Sequence, residues 1–232
     1  MVDHVEFESP EIIEKFINYW RETGLQRYGL LYGTYEPHTT PLGIKAVVKA
    51  IYEPLQQNAK EYIQVLDSPL VSFSALLGLE IIGMIYTDLK DDGKKQGTVV
   101  CKRHADSYFM SSAECIYSSQ MQSKHPTKTH YSRTKEFGSR FVTGVVTGDM
   151  NGGIDVQCYQ TSNTAMNMVR DGILEASVKP DMMRVKSGGY VPEVFYKYKN
   201  KYGIMVKEAA KPTFPTEYLL VTVIPLNSSL NL

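Results

Sequence analysis

LEIIGMIYTDL, residues 79–89, is an apolar run of strand length that breaks into polar side chains at its end. Its composition is that of a buried strand, and its last residues, Tyr86-Thr87-Asp88, stand where such a strand delivers side chains to a surface. Upstream, RYGLLYGTYE (27–36) and GIKAVVKAIYE (43–53) are rich in β-branched and aromatic residues. They are separated by His38, Pro41 and Gly43 and are expected to pair. Ahead of them Ser9-Pro10-Glu11 has the makings of a helix start: serine as N-cap, proline at the first helical position, carboxylates near the positive dipole end. Ile13, Phe16, Ile17 and Trp20 follow at helical spacing, and Gly24 supplies the stop.

Outward from this centre the punctuation alternates between strands and helices. Residues 55–67 are ambiguous between a short helix and an extended segment, and Ser68-Pro69 repeats the helix-start pattern. The stretch 90–107, with a turn at Asp91-Asp92-Gly93 and the alternating piece TVVCK, predicts a hairpin excursion. SSAECIYSSQMQ (111–122) predicts a helix, and the locally basic 123–136 a solvated loop. RFVTGVVTG (140–148), a turn at 150–153 and IDVQCYQ (154–160) form a hairpin. Ser162 then caps a helix expected to run through Met166, Val169, Ile173 and Leu174. Composition shifts at 177–189, which has the look of a linker; beyond it VFYKYKNKYGIMVKE predicts a second hairpin and YLLVTVIP (218–225) a last strand. The expected plan is an α/β domain over 1–176 and a smaller β-rich extension over 177–232.

Composition excludes several classes. Twenty-five basic residues balance 25 acidic ones, so no global field favours nucleic acid or an anionic membrane. Polar residues, Gly and Pro interrupt every apolar run well short of the roughly 20 residues a spanning helix needs, so no direct membrane insertion is expected. MVDHVEFESPEII has neither a basic nor an apolar leader segment, so no signal peptide is expected. Three cysteines, Cys101, Cys115 and Cys158, are an odd, widely spaced set that fits a reducing compartment. Sixteen tyrosines are the one excess; the side chain buries area while keeping a hydroxyl for bonding.

Catalytic signatures are scarce: the chain has no GxSxG, no phosphate-binding loop, no GxGxxG and no CxxC. Of five histidines only His125 and His130 are close, and Pro126 between them rules out the helical pairing of a zinc-protease helix. The cysteines fall in strand-like or helical runs, where a buried structural thiol is the simpler account than a nucleophile.

The strand 79–89, preceded by a helix and two strands, resembles the MPN (JAMM) family of zinc isopeptidases. In that family the strand reads G-W-Y-H-S-H-P and offers two histidines to zinc. An E-x-x-G-x-L-x-G strand supplies the base, and an S-x-x-D helix start a further ligand and a serine. Zinc lowers the pKa of its bound water, so three ligands and a base suffice. Laid over this frame, the fold implied is a mixed β-sheet flanked by helices, but the ligand positions are degenerate. Tyr86 and Asp88 stand at the histidine positions and Gln26, three residues before Gly29, at the glutamate position. Ser111 and Glu114 match the serine and the acid, although S-x-x-E before a helix is also a capping box. The short spacer of the family is here the 22-residue excursion 89–110. Glutamine cannot act as a general base and tyrosine replaces imidazole poorly on zinc, so neither a metal, a cofactor nor hydrolysis is expected. The alternative is an isopeptidase with relocated ligands, for example Asp88, His104 and Glu114.

The likeness narrows further. MVDHVEFESPEIIEKFINYWR, YGLLYGTYE, PLGIKAVVKAIYEP, IIGMIYTDL, GTVVCKRHADSYFMSSAECI, KHPTKTHYSR, FGSRFVTGVVTGD and YVPEVFYK together resemble the nuclear protein localization protein 4 family. Full-length members carry an N-terminal ubiquitin-like domain and zinc fingers, so the sequence corresponds to their central MPN domain with part of the C-terminal domain. The resemblance implies a non-catalytic scaffold that pairs with ubiquitin fusion degradation protein 1 and serves the valosin-containing AAA+ unfoldase. It implies engagement of ubiquitin chains, an unfolded ubiquitin segment held in a groove, and a role in proteasomal and endoplasmic-reticulum-associated degradation. It further implies residence in cytoplasm and nucleus, peripherally at the endoplasmic reticulum and nuclear envelope. No groove residues can be transferred by motif. The anchors the sequence itself offers for a peptide partner are Trp20, Tyr190, Phe195, Tyr196 and Tyr198.

Overall fold

The computed structural model of the chain describes residues 1–39, 43–66, 78–94, 96–187 and 193–226. The expected helix after Ser68-Pro69 and the candidate anchor Tyr190 lie outside the described residues. The chain forms two compact units, one of Met1–Arg103, His125–Gln160 and Thr222–Leu232, the other of His104–Lys124 and Thr161–Val221.

The first unit opens with β1 (His4–Phe7), α1 (Pro10–Thr23), β2 (Tyr28–Pro37) and β3 (Ile44–Tyr52). The small hairpin β4 (Gln56–Asn58) and β5 (Ile63–Val65) follows, then β6 (Glu80–Thr87). In the second unit α2 spans Ser112–Lys124. The chain returns to the first unit with β7 (Pro126–Lys128), β8 (Glu136–Ser139), β9 (Val142–Gly148) and β10 (Ile154–Thr161). The remainder is α3 (Asn163–Arg170), β11 (Leu174–Ala176), β12 (Met182–Val185), β13 (Phe195–Lys199), β14 (Met205–Ala209), β15 (Thr213–Pro215) and β16 (Leu220–Leu226). The class is α/β, as expected, with three α-helices among the described residues, none long and apolar enough to cross a membrane.

Seven strands close into a barrel in the order β1-β16-β10-β9-β6-β2-β3. The parallel pairs β6–β9, β1–β3 and β1–β16 make it mixed. Closure depends on β1, a four-residue strand too short for periodicity to reveal, which runs parallel to both β3 and β16. Each of the seven residues of β9 is buried, as befits a strand with a parallel neighbour on one side and an antiparallel one on the other. Glycine is required where strands crowd: a Cβ on Gly33 would strike the Val47 carbonyl, at a register shift between β2 and β3. Helix α1 forms as its sequence dictates, with Ser9 Oγ accepting from Glu11 N–H. At its other end Gly24, at φ 69°, donates to Trp20 O at 2.7 Å and so closes the last turn in the left-handed conformation that glycine tolerates. The buried face of Ile13, Phe16 and Ile17 joins the core with Val5, Leu31, Val48, Ile82, Ile85 and Val142.

Three sequence expectations are corrected in this unit or at its edge. The stretch 90–107 is not a strand hairpin: it holds one isolated bridge, Asp91 to Val99, and side-chain turns in which Asp91 and Asp92 accept from Gly93 and Lys94 N–H. The basic stretch 123–136 is not wholly loop, because β7 pairs with β8 and Ser139 Oγ donates to His125 O at 2.6 Å. Within 55–66 the chain is the extended pair β4–β5.

In the second unit α2 and α3 share a core with the sheet β11-β12-β15, built from Cys115, Ala165, Met168, Leu174, Met183, Val185 and Phe214. The helix α3 stops at Arg170. Gly172 turns the chain at φ 67°, a conformation that suits glycine, and sends Ile173 and Leu174 into β11. The anticipated boundary at 176/177 falls inside this unit. Ser177 N–H bonds Ser112 Oγ at 2.9 Å and Pro180 O accepts from Ser112 N–H, so the linker-like composition marks a loop docked on the start of α2.

Candidate functional site

The first unit brings the degenerate ligand positions Gln26, Tyr86 and Asp88 to one end of the β2–β6 pair, where Tyr28 and Tyr86 are in register. Gln26 is 4% exposed and its amide is fully used. Its oxygen accepts from Thr87 Oγ1 at 2.8 Å and from Leu89 N–H at 3.1 Å. Its nitrogen donates to Lys60 O at 2.9 Å and to Leu89 O at 2.7 Å. An amide has two donors and two acceptor lone pairs, and all four are satisfied here; the two backbone carbonyls require a donor that a carboxylate lacks. Arg27 and Thr87 close the same corner, with Arg27 N–H to Thr87 Oγ1 and Thr87 N–H to Arg27 O. Position 26 is thus a strand clamp built for glutamine.

Asp88 is held by two cations from the excursion. Lys102 Nζ lies 2.6 Å from one carboxylate oxygen and Arg103 Nε 2.8 Å from the other. Burial pushes the Asp88 carboxyl up, but Arg103 and Lys102 outweigh it and hold the pKa below the ordinary value. The Arg103 side chain is almost fully buried. Its guanidinium also sits 5.8 Å from the centre of the Tyr86 ring, within the range of a cation–π contact. Two cations from the excursion thus neutralise Asp88. Among the described residues no three His, Cys, Asp or Glu side chains gather into a set able to hold a metal.

Ser111 and Glu114 lie in the second unit, at the start of α2. Glu114 Oε2 accepts from Ser111 N–H at 2.7 Å, and Ser111 Oγ accepts from Glu114 N–H at 3.3 Å. This reciprocal pair is a capping box, which serves helix-end N–H groups without metal. Cys115 and Cys158 are buried, and burial, with the charges of Glu114 and Asp155 beside them, pushes each thiol up to about 12. Neither has the depressed pKa of a nucleophile.

Of the anchors, Trp20 is partly buried against the barrel core, so most of its area is spent on packing. Tyr196 and Tyr198 stack on each other, ring centres 5.9 Å apart, and Tyr196 also packs on Phe214 and Tyr218, the offset contacts that aromatic rings prefer. Phe195, next in line on the other face of β13, is 44% exposed. Residue-type scanning passed over Thr87, Lys102 and Arg103. The Lys-Arg pair in an excursion that starts just after Asp88 was the available signal, in the form of charge complementarity across a loop closure.

A model described as "NPL4 family" matches residues 27–229, and one described as "NPL4 family, putative zinc binding region" matches residues 1–24. Similar chains include Nuclear protein localization protein 4 of Saccharomyces cerevisiae, 46% identical over 96% of this chain and 40% of that protein. The proteins of the same name from Schizosaccharomyces pombe and Yarrowia lipolytica are 46% and 45% identical, again over 96% of this chain, and it covers 40% and 42% of them. The chain thus spans about two fifths of the length of these relatives. With a family model matched from Arg27, just before β2, almost to the C-terminus, the chain belongs to the NPL4 family.

Proposed function

We propose that the chain is a non-catalytic scaffold of the ubiquitin pathway, an MPN-type fold in which the metal centre has been replaced by structural contacts. The observation that carries this reading is Gln26. At the position where an isopeptidase of this frame keeps its base, the side chain is buried and spends all four hydrogen bonds on tying β2 to the end of β6 and to Lys60. Asp88, at a ligand position, is neutralised by Lys102 and Arg103, so the excursion replaces a metal with fixed cations.

Membership of the NPL4 family supports the finer role. In it the chain pairs with ubiquitin fusion degradation protein 1, recruits polyubiquitinated substrates to the valosin-containing AAA+ unfoldase, and holds an unfolded ubiquitin segment in a groove. It acts in proteasomal and endoplasmic-reticulum-associated degradation. The relatives' name points to a nuclear connection, and the proposed locations are nucleus and cytoplasm with peripheral association at the endoplasmic reticulum and nuclear envelope. An extended segment is held by strand addition or by aromatic contacts; the closed barrel leaves no strand edge, so its tyrosine-rich strands offer the second.

The test is amide hydrogen exchange of the chain alone, with a peptide of ubiquitin fusion degradation protein 1, and with ubiquitin chains. The scaffold expects protection confined to a contiguous surface and saturating with ligand. Identical exchange with and without both ligands would remove the reading.

A further inference from the structure

We propose that the outward face of the β13–β14 hairpin docks an acidic, extended peptide segment of a partner protein. The proposal deepens the scaffold reading and rests on it in taking the partner to be a protein. The hairpin has two unlike faces. Tyr196 and Tyr198 occupy one and pack toward Phe214 and Tyr218, and the Glu208 carboxylate, the cross-strand neighbour of Tyr196, pushes the Tyr196 hydroxyl pKa up to about 12. The other face carries Phe195, Lys197 and Lys199 on β13 and Met205 and Lys207 on β14, all exposed. The acidic group of the ladder is thus turned to one side and the lysines to the other.

Lys197 and Lys207 are direct cross-strand partners. Like charges placed opposite each other weaken a hairpin, and two-stranded sheets are marginal to begin with. No carboxylate lies within salt-bridge reach of Lys197, Lys199 or Lys207 among the described residues; Lys207 Nζ rests 3.9 Å over the Phe195 ring instead. The positive face is not a by-product of a basic protein, since the whole chain carries no net charge. Among the described residues β13 and β14 pair only with each other, so each presents an outer edge of backbone donors and acceptors. Lysines at such an edge repel the addition of like strands. They admit an acidic strand, which would gain the backbone ladder, neutralise the opposed pair with every second side chain, and set the intervening apolar side chains on the opposite face, beside Tyr196 and Tyr198. The open ladder edge favours a peptide over a nucleic acid, which has no use for it.

The probe is a fluorescein-labelled twelve-residue peptide alternating Asp or Glu with Val or Leu, titrated into the intact chain by anisotropy. An Asn/Gln version of the peptide and an oligouridine of matched length are the comparators. Binding is expected for the acidic peptide, weaker by about tenfold or more for the neutral one, and falling steeply with added salt. Lys197→Glu separates recognition from folding: it turns the repulsive cross-strand pair into an attractive one, so the melting temperature should hold or rise while affinity drops about tenfold or more. Affinity within twofold of the parent in Lys197→Glu, equal binding of the neutral peptide, or tighter binding of oligouridine would each overturn the proposal. Because ubiquitin is absent from the assay, a negative result leaves the scaffold reading to its own exchange experiment.

Discussion

Replacing Gln26 with glutamate restores the residue type a metal-activated water would need while changing one NH2 to O. Its cost follows from the four bonds of the clamp. The glutamate keeps the two contacts in which position 26 accepts, from Thr87 Oγ1 and Leu89 N–H. It loses the two in which position 26 donates, so Lys60 O and Leu89 O face a carboxylate oxygen instead of an N–H. Each buried acceptor stranded by a lost bond costs about 1–2 kcal/mol, so the two give a deficit of about 2–4 kcal/mol, to which a charge at a buried site can only add. For a chain of this size that is a fall in Tm of roughly 5–15 °C. The deficit must depend on pH. Burial and the facing carbonyls raise the folded-state pKa of a glutamate here above its unfolded value of about 4.3, so the folded variant binds more protons and its stability falls as pH rises through that window. Below it the protonated acid donates to one of the two carbonyls and regains part of the loss. Thermal unfolding of the variant and the parent at pH 5 and pH 8 reads both effects. A variant as stable as its parent at pH 8, or a melting temperature that climbs when one equivalent of zinc is added, would refute the clamp.

Other substitutions test other contacts. Asp88→Asn should cost about 2–4 kcal/mol at pH 7 by leaving Arg103 buried without its counter-charge, measured by urea unfolding. Since the Asp88 pKa is lowered in the fold, that stability is fully present above about pH 4 and is lost on acidification through the folded value, so variant and parent should converge in acid. Gly33→Ala, which drives a methyl into the Val47 carbonyl, should destabilise by about 3 kcal/mol, whereas alanine at Gly153, whose nearest neighbours are the side-chain carboxylate atoms of Asp149 rather than backbone, should cost less; their melting temperatures give the comparison. Ser111→Ala should cost about 1 kcal/mol of stability through the lost cap, with no change in metal content by elemental analysis. In the folded protein at pH 8 a mild alkylating agent should label Cys101 and spare Cys115 and Cys158 until denaturant is added, as read by intact mass.

The main strands and helices were legible because their determinants are local. Ser9, Pro10 and Gly24 bracket α1 by cap chemistry, and β2, β3, β6, β9 and β10 are long enough for their composition to speak. What escaped is set by distant partners. Strand β1 is four residues whose only reason to be a strand is the pair of parallel neighbours it joins. The excursion's role is likewise invisible until Lys102 and Arg103 are seen on Asp88. Composition gave 177–189 the look of a linker, whereas among its described residues Ser177 and Pro180 bond the start of α2 and Met182–Val185 form β12, contacts that composition does not carry. At the site, the sequence marked Gln26, Tyr86 and Asp88 as departures from the ligand pattern of the resemblance, and the Ser111–Glu114 box followed from spacing alone. That glutamine is demanded by two backbone carbonyls, of Lys60 and Leu89, could come only from the fold.

The central claim is that structural contacts have replaced a metal centre. Its most direct test is elemental analysis of the chain after equilibration with zinc and removal of the excess, combined with incubation against ubiquitin chains with and without chelator. The account predicts zinc well below one ion per chain and intact ubiquitin chains under both conditions. One tightly held zinc per chain, with cleavage that the chelator abolishes, would contradict it.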